Sequence, residues 1–220
     1  PRLHLYIVDG SSTDGTPDIC REYASRDSRV RYLRQSANIG QVNNFRFLLD
    51  QARGEYFIWA SAHDLWAPEF LSQAVRCMDE DPRTALAYSR TLWIAADGKP
   101  HGEIEEFIDT RGKSRIRRYI EVIWNLTWCT PMYGLFRRDT LTQSGCLRNI
   151  WGWDNALLAE LSFHGAFAQM EGTLISCREN RPFVQESRLE TVLRNIQPGH
   201  PAPDRRADKT DLYADLRTLH

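Results

Sequence analysis

The sequence alternates short apolar segments with amphipathic segments, and this alternation restricts the fold more than any other feature. Apolar segments of strand length lie at residues 3–8, 30–33, 56–60 and 85–88. The segments between them have the helical period of three to four residues, as in Phe45, Leu48, Leu49 and Ala52. Strands that alternate with helices predict an α/β domain with a mostly parallel sheet and covering helices. A chain of 220 residues is long enough for one such domain.

Composition excludes several other classes of protein. Lys plus Arg is 28 and Asp plus Glu is 29, so the net charge of −1 does not indicate a nucleic-acid binder. No apolar run approaches the roughly 20 residues of a membrane-spanning helix. The five cysteines are scattered and include no C-x-x-C pair, which indicates reduced thiols. We therefore expect a cytoplasmic protein, and peripheral attachment to the inner face of the cell membrane stays compatible with this sequence.

The third apolar segment leads into residues that can bind a ligand. Residues 54–68 read GEYFIWASAHDLWAP. The unbroken apolar run at residues 56–60 predicts a parallel strand that is buried on both faces. His63 and Asp64 follow at the carboxyl edge of the sheet, where open α/β sheets bind ligands. We predict that these two side chains hold a divalent cation against a phosphate-bearing donor.

The first apolar segment is followed by a loop of small, turn-forming residues. Residues 9–16 read DGSSTDGT, and Thr16 and Pro17 are a typical N-cap and first residue of a helix. Asp9 has two interpretations. Its carboxylate either closes a turn at the end of the strand or accepts hydrogen bonds from a nucleotide base or ribose.

A basic amphipathic helix is predicted near residue 120. Three arginines at positions 115, 117 and 118 alternate with apolar residues, and two tryptophans follow at positions 124 and 128. The apolar residues are Ile116, Tyr119, Ile120 and Ile123. This stripe either faces the core, with the arginines in solvent, or forms a surface for anionic lipid or a lipid-linked acceptor.

The last predicted helix begins near an acidic residue. Asp154 precedes a stripe of leucines at positions 157, 158 and 161. It can serve as an N-cap, as a general base, or as both. Pro, Arg, Asp and Gln dominate after residue 180, so we expect one domain over residues 1–180 and a peripheral, partly mobile extension over residues 181–220.

The order of these motifs resembles that of a family 2 glycosyltransferase with the GT-A fold. VDGSSTDGT at residues 8–16 is similar to the family's V-D-D-G-S-T-D-G-T loop, and NIG at residues 38–40 to its N-x-G region. Residues 54–68 are similar to its metal-binding strand end. YGLFRR at residues 133–138 and WGWDNALLAELSFHG at residues 151–165 resemble the acceptor side and the acidic helix start. The resemblance covers about residues 1–180.

The resemblance implies an inverting transfer of sugar from a nucleotide-diphosphate sugar to a hydroxyl of a glycan or lipid-linked acceptor, in cell-surface polysaccharide synthesis. Asp154 would be the catalytic base, and His63 and Asp64 would bind Mn²⁺ or Mg²⁺. The implied contacts to the nucleotide sugar are Asp9, Ser11, Asn38, Gly40 and Asp64.

The sequence departs from the family pattern at several positions. The family's D-x-D reads Ser-Ala-His at residues 61–63, a single carboxylate stands at Asp154, and the late Arg-x-His reads Arg-Glu-Asn at residues 178–180. The family's first strand would precede residues 3–8. We therefore expect a fragment, or a chain that lacks this strand and has lower activity or stability.

Two other functions compete with sugar transfer. A degenerate transferase domain that acts as a binding or scaffold protein would explain the altered D-x-D. A nucleotidyltransferase with a similar sheet is less favoured, because no glycine-rich basic loop stands near the start of the sequence.

Overall fold

The protein is described by a computed structural model over residues 3–145 and 147–178. The strands are β1 (Leu5–Asp9), β2 (Val30–Arg34), β3 (Tyr56–Phe57), β4 (Leu65–Trp66), β5 (Thr84–Ile94), β6 (Pro100–Ile104), β7 (Leu135–Arg137) and β8 (Ala166–Arg178). The helices are α1 (Thr16–Arg26), α2 (Gln41–Gln51), α3 (Phe70–Glu80), α4 (Arg115–Asn125), α5 (Arg138–Gln143) and α6 (Trp153–His164), with a 3₁₀ turn at Thr130–Tyr133. The expected extension at residues 181–220 lies outside the described residues.

The described strands form two sheets. β1 and β2 pair in parallel as one sheet. The other sheet has the order β3-β7-β5-β8-β4, and β6 pairs with β5. In this second sheet β5 and β8 are parallel, and the other pairs are antiparallel. The predicted α/β class is therefore confirmed, and the sheet is mixed.

The predicted strand at residues 56–60 is shorter than expected and differs in direction. Only Tyr56 and Phe57 pair, and they pair antiparallel to β7, so the predicted parallel strand is wrong. The apolar run has another cause. The ring of Trp59 lies 4.7 Å from that of Phe57 and 5.3 Å from those of Phe45 and Phe136, measured between centroids. Aromatic packing, and not pairing with a strand on each edge, explains why this run is apolar.

Strand β5 lies at the centre of the core. Its side chains alternate between the two faces of the sheet, as strand geometry requires. Leu86 and Tyr88 belong to a cluster with buried residues of α2, α4 and α6. Ala87 belongs to a second cluster with the buried residues of α3. The domain is therefore a sheet covered by helices on both faces.

The basic helix α4 presents most of its apolar stripe to solvent. Val122 is buried, and the ring of Tyr119 lies 4.4 Å from that of Phe163 on α6. Ile116, Ile120 and Ile123 are exposed. The core-facing interpretation is therefore wrong for these three isoleucines. In the described part of the chain, no helix has the length and apolar character that crossing a membrane requires.

Candidate functional site

Asp9 anchors the loop that follows β1. Its buried carboxylate accepts a hydrogen bond from the Ser12 backbone N–H at 2.7 Å and another from the Tyr32 hydroxyl. The guanidinium of Arg34 lies 3.9 Å away. Burial raises the pKa of Asp9, but these hydrogen bonds and the positive charge of Arg34 outweigh it and lower the pKa to about 2. The carboxylate thus closes a turn at the strand end, and its contact with a nucleotide stays a prediction.

The structure brings the other predicted nucleotide contacts next to this loop. A Cβ atom added to Gly10 would lie 3.7 Å from the Asn38 side-chain oxygen, so residues 10 and 38 are neighbours. The same oxygen accepts the Gly40 N–H at 2.9 Å. Ser11 (φ 75°) and Gly40 (φ 84°) both adopt the left-handed backbone region, which only glycine occupies at low cost. Two constrained turns therefore meet here.

Two buried atoms of amide side chains beside this loop have no hydrogen-bond partner within the described residues. They are the Gln35 nitrogen Nε2 and the Asn44 oxygen Oδ1. The Gln35 backbone N–H donates to the Asp9 carbonyl, and the Asn44 side-chain nitrogen lies 3.5 Å from the Cβ position at Gly10. A buried polar atom without a partner costs about 1–3 kcal/mol. Each atom therefore retains an unused capacity to form a hydrogen bond.

The predicted cation ligands lie in the loop between β3 and β4. The Asp64 side chain is 4% exposed, and its two oxygens lie 2.9 Å from the Arg178 backbone nitrogen and 3.7 Å from the Cys177 sulfur. His63 is half exposed, and its ring contacts the Ser61 hydroxyl. The end of β8 therefore fixes the position of Asp64, whereas His63 faces solvent.

The donor atoms present fit one cation in part. The His63 nitrogen Nε2 and the Asp64 oxygen Oδ1 are 3.7 Å apart, and metal–ligand bonds of about 2.1 Å allow both atoms to contact one ion. Among the described residues, no group of three or more His, Cys, Asp or Glu side chains is placed to hold a metal. A site with two protein ligands is typical of cations that also bind substrate phosphates.

Asp154 lies in the first turn of α6, two residues after the N-cap residue. The N-cap position belongs to Gly152 (φ 70°), so the N-cap interpretation of Asp154 is wrong. Its carboxylate accepts the Asn155 N–H at 2.9 Å and is partly exposed. The Cys129 thiol lies next to it. Burial first, and then the negative charge of Asp154, raises the pKa of this thiol, so the thiol stays protonated.

A buried carboxylate holds the loop next to Asp154. Glu106 is 2% exposed and accepts the backbone N–H groups of residues 127 to 130 at 2.6–3.2 Å. It also accepts the Thr130 hydroxyl. Within this loop, Cys129 has the left-handed conformation (φ 56°). Charge-assisted hydrogen bonds from four successive residues stabilise this loop and hold Cys129 against Asp154.

Tyr133 belongs to the surroundings of both candidate carboxylates. Burial is the main cause that raises the pKa of its phenol to about 12, and the negative charges of Asp64 and Asp154 raise it further. The N-cap of its 3₁₀ turn is Cys129, whose thiol lies beside Asp154, and Tyr133 packs against the cluster of Cys177, whose sulfur contacts Asp64. The turn thus contacts the surroundings of both the predicted cation ligand and the predicted base, and the roles of these two residues stay predictions.

Sequence reasoning missed three of these residues. Tyr133 begins the YGLFRR segment, and its position directly before Gly134 is a sequence signal that could have marked it as a candidate. Cys129 and Glu106 lie in irregular segments, where no period or motif marks them. Glu179 and Asn180, part of the altered late motif, lie outside the described residues. Free thiols are present at the four described cysteines, as expected, and Cys146 is not described.

Comparisons with known proteins identify relatives of this chain. The chain is 36% identical over 103 residues to Uncharacterized protein Rv1520 of Mycobacterium tuberculosis, covering 46% of this chain and 30% of that protein. It is 30% identical over 108 residues to TuaG of Bacillus subtilis, named as a teichuronic acid biosynthesis glycosyltransferase, covering 49% of this chain and 41% of that one. The chain therefore spans less than half the length of these relatives.

Solved structures share the fold at low identity. The crystal structure of TarS 1-349 from S. aureus matches with a TM-score of 0.63 and 15% identity, covering 81% of this chain and 52% of that chain. Mannosyltransferase PcManGT from Pyrobaculum calidifontis, solved with GDP-Man and Mn²⁺, matches with a TM-score of 0.56 and 20% identity, covering 84% and 50%. The predicted GT-A fold is confirmed.

The family follows from the sequence itself. A family model described as "Glycosyl transferase family 2" matches residues 1–144, which is more than half of the chain. The chain therefore belongs to glycosyl transferase family 2.

Proposed function

We propose that this chain is the catalytic domain of an inverting glycosyltransferase that uses a nucleotide-diphosphate sugar and a hydroxyl acceptor. The observation that carries the proposal is the 3₁₀ turn that ends at Tyr133. Its N-cap is Cys129, beside Asp154, and Tyr133 packs against the cluster of Cys177, whose sulfur contacts Asp64. One carboxylate at the donor diphosphate and one at the acceptor hydroxyl are what such a reaction needs. Family membership supports the same chemistry.

The nucleotide would bind at the loop after β1. Asp9, Ser11, Asn38 and Gly40 would contact it, and the unpartnered atoms Gln35 Nε2 and Asn44 Oδ1 lie beside this loop. TarS has been solved with UDP-GlcNAc and PcManGT with GDP-Man, which supports a nucleotide sugar as the donor. Because Asp9 already has internal partners, its main role would be to shape the loop, with any nucleotide contact made through its remaining lone pairs.

Asp154 would accept the proton of the acceptor hydroxyl. The hydroxyl oxygen then forms a bond to the anomeric carbon of the sugar while the bond from that carbon to the phosphate oxygen breaks. The electron pair of the broken bond leaves with the nucleoside diphosphate. Attack from the face opposite the leaving group inverts the anomeric configuration.

His63 and Asp64 would hold a divalent cation at the leaving group. Such a cation, when bound, would neutralise negative charge that develops on the diphosphate oxygens. Imidazole suits Mn²⁺ better than Mg²⁺, which prefers oxygen ligands, so Mn²⁺ is the proposed ion. Tyr133 would donate its proton in a hydrogen bond toward this charge, because its raised pKa keeps the phenol neutral.

The proposed acceptor is a glycan or a lipid-linked saccharide, and the proposed process is synthesis of cell-surface polysaccharide on the cytoplasmic side of the membrane. The similarity to TuaG supports this process.

The direct test is calorimetric titration of the full chain with UDP-GlcNAc and GDP-mannose, with and without Mn²⁺. We expect one donor to bind, and to bind more tightly with Mn²⁺. Absence of binding under all conditions, in a chain whose circular dichroism shows that it is folded, would contradict the proposal.

A degenerate binding or scaffold protein is the second candidate. It is favoured by one observation, the engagement of the Asp64 carboxylate by Arg178 and Cys177. This candidate predicts donor binding that Mn²⁺ does not change and no release of nucleoside diphosphate.

A further inference from the structure

Helix α4 carries an apolar stripe that no described residue covers. The stripe consists of Ile116, Ile120, Ile123 and Trp124, which are 66%, 48%, 47% and 80% exposed. Their spacing of four, three and one residues puts them on one side of the helix. Four large apolar side chains that share one exposed helix side are unusual for a soluble surface and mark an interaction site.

The orientation of α4 is fixed by its opposite side. Val122 is buried and Tyr119 packs on Phe163 of α6. The Arg118 guanidinium donates to the Ser162 and Phe163 carbonyls at the end of α6. These contacts hold the helix in place, so the stripe cannot turn inward without breaking them.

Positive charge lies beside the stripe. Arg115 and Arg117 are exposed, and neither makes an ion pair with a described residue. Lys113 pairs with Glu121, the acidic residue of this helix. Lys113, Arg117, Ile120 and Trp124 line one depression in the surface. Apolar and basic side chains therefore belong to one surface, which we call the α4 face and define as residues 115, 116, 117, 120, 123 and 124.

This combination matches the surface of an anionic lipid bilayer. Isoleucine and tryptophan side chains insert at the boundary between headgroups and acyl chains, and arginine binds anionic headgroups. The undescribed residues 179–220 are the other segment of this chain to consider as a cover for the stripe. They contain seven acidic and seven basic residues, so they offer no net negative charge to this basic face.

We propose that the α4 face docks the protein on a membrane that contains anionic lipid. The docking itself is independent of sugar transfer. One consequence rests on the proposed function. Helix α4 leads directly into the loop that holds Cys129 against Asp154, so docking would bring the candidate base close to lipid-linked acceptors.

Vesicle flotation of the full chain tests the proposal. We expect binding to vesicles of phosphatidylcholine with phosphatidylglycerol, weak binding to phosphatidylcholine alone, and weaker binding at high salt. Arg115→Gln with Arg117→Gln should lower the partition coefficient on anionic vesicles by about tenfold or more. Ile120→Gln with Trp124→Gln should lower it by a similar factor, because less apolar area is buried.

Matched control pairs lie elsewhere on the surface. Ile19→Gln with Tyr23→Gln removes two exposed apolar residues four positions apart on α1. Arg76→Gln with Arg148→Gln removes two exposed arginines for which the structure describes no ion pair. Neither control should change flotation. Because all eight side chains are exposed or peripheral, circular dichroism should show that every variant is folded.

Three outcomes would overturn the proposal. The first is no binding to anionic vesicles, and the second is equal loss in the control pairs. The third is a covered face in the lipid-free chain, which hydroxyl-radical footprinting would detect as protection of Trp124, or light scattering as a dimer that Ile120→Gln with Trp124→Gln dissociates. These readouts do not depend on activity, so failure here and failure of the proposed transferase function are distinguishable.

Discussion

The backbone N–H of Arg178 donates to the Asp64 oxygen Oδ1 at 2.9 Å, which joins the end of β8 to the loop between β3 and β4. The Arg178 guanidinium continues this contact by donating to the carbonyls of His63, Ala95 and Ala96. Arg178 thus holds the Asp64 side chain and the His63 backbone in place. Carboxylate oxygens have several lone pairs, so Asp64 can accept this hydrogen bond and still bind a cation.

Replacing the Asp64 carboxylate should separate cation binding from fold. In Asp64→Asn the amide oxygen can still accept the Arg178 N–H, but the negative charge that attracts the cation is lost. We expect Mn²⁺-dependent donor binding to weaken on the order of tenfold or more, with little change in thermal unfolding. Asp50→Asn, at an exposed position on α2, is the control in calorimetry. Unchanged Mn²⁺ dependence in Asp64→Asn would remove Asp64 from the cation site.

Replacing the candidate base should stop transfer and preserve donor binding. In Asp154→Asn the side chain cannot accept the hydroxyl proton, and a general base contributes about 10²–10⁴-fold to rate. We expect release of nucleoside diphosphate in the presence of acceptor to fall by that factor while the dissociation constant of the donor stays within error. Asp139→Asn, an exposed carboxylate on α5, should retain activity. A fully active Asp154→Asn protein would rule out the assignment.

The sequence predicted the local secondary structure better than it predicted which strands pair and in which direction. The helices over residues 16–26 and 41–51 follow from apolar period and turn chemistry, which are local properties of the chain. The direction of β3 depends on its partner Arg137, which lies 81 residues later, and no local pattern reports such a partner. The exposed side of α4 likewise depends on which side packs against α6, and an amphipathic pattern alone does not distinguish core from membrane.

The candidate site shows the same difference between residues that a local pattern marks and residues that only tertiary contacts reveal. Asp9, Asp64 and Asp154 could be found because each follows or begins a recognisable element. Glu106 could not, because its function comes from four N–H groups that lie more than twenty residues away in sequence. Tertiary contacts of this kind are invisible until the chain is folded.

The buried carboxylate of Glu106 should be essential for stability. In Glu106→Gln, one of the two carboxylate oxygens is replaced by an NH₂ group, which is a donor. This donor would face the backbone N–H groups of residues 127 to 130, which are donors too. Leaving such groups without acceptors should lower the free energy of unfolding by about 3 kcal/mol, as measured by urea titration. The adjacent exposed residue provides a control, since Glu105→Gln should change the free energy of unfolding by less than about 0.5 kcal/mol. Equal stability of the two variants would mean that the loop does not depend on this carboxylate.

Acid should weaken the anchor at Asp9. Its pKa is about 2 in the folded protein against 3.8 as the usual value, so the unfolded chain takes up a proton first as the pH falls. The stabilising contribution is therefore complete above about pH 4 and is lost toward pH 2. We expect the difference in Tm between the unsubstituted protein and Asp9→Asn to shrink over this range. A difference that is constant from pH 7 to pH 2 would contradict the assigned hydrogen bonds to Ser12 and Tyr32.

Gly134 should tolerate no side chain, because it follows Tyr133 directly and packs closely against the central strand β5. A Cβ atom there would lie 2.7 Å from the Ala87 carbonyl oxygen and 2.8 Å from the Tyr88 Cβ atom, and both belong to buried β5. Since neither can move freely, Gly134→Ala should lower the free energy of unfolding by about 1–3 kcal/mol. It should also shift Tyr133 and thereby weaken donor binding. Gly102→Ala is the matched control, because a Cβ there meets no atom within 4 Å. Equal urea midpoints for the two variants would show that β7 and β5 pack less closely than the structure indicates.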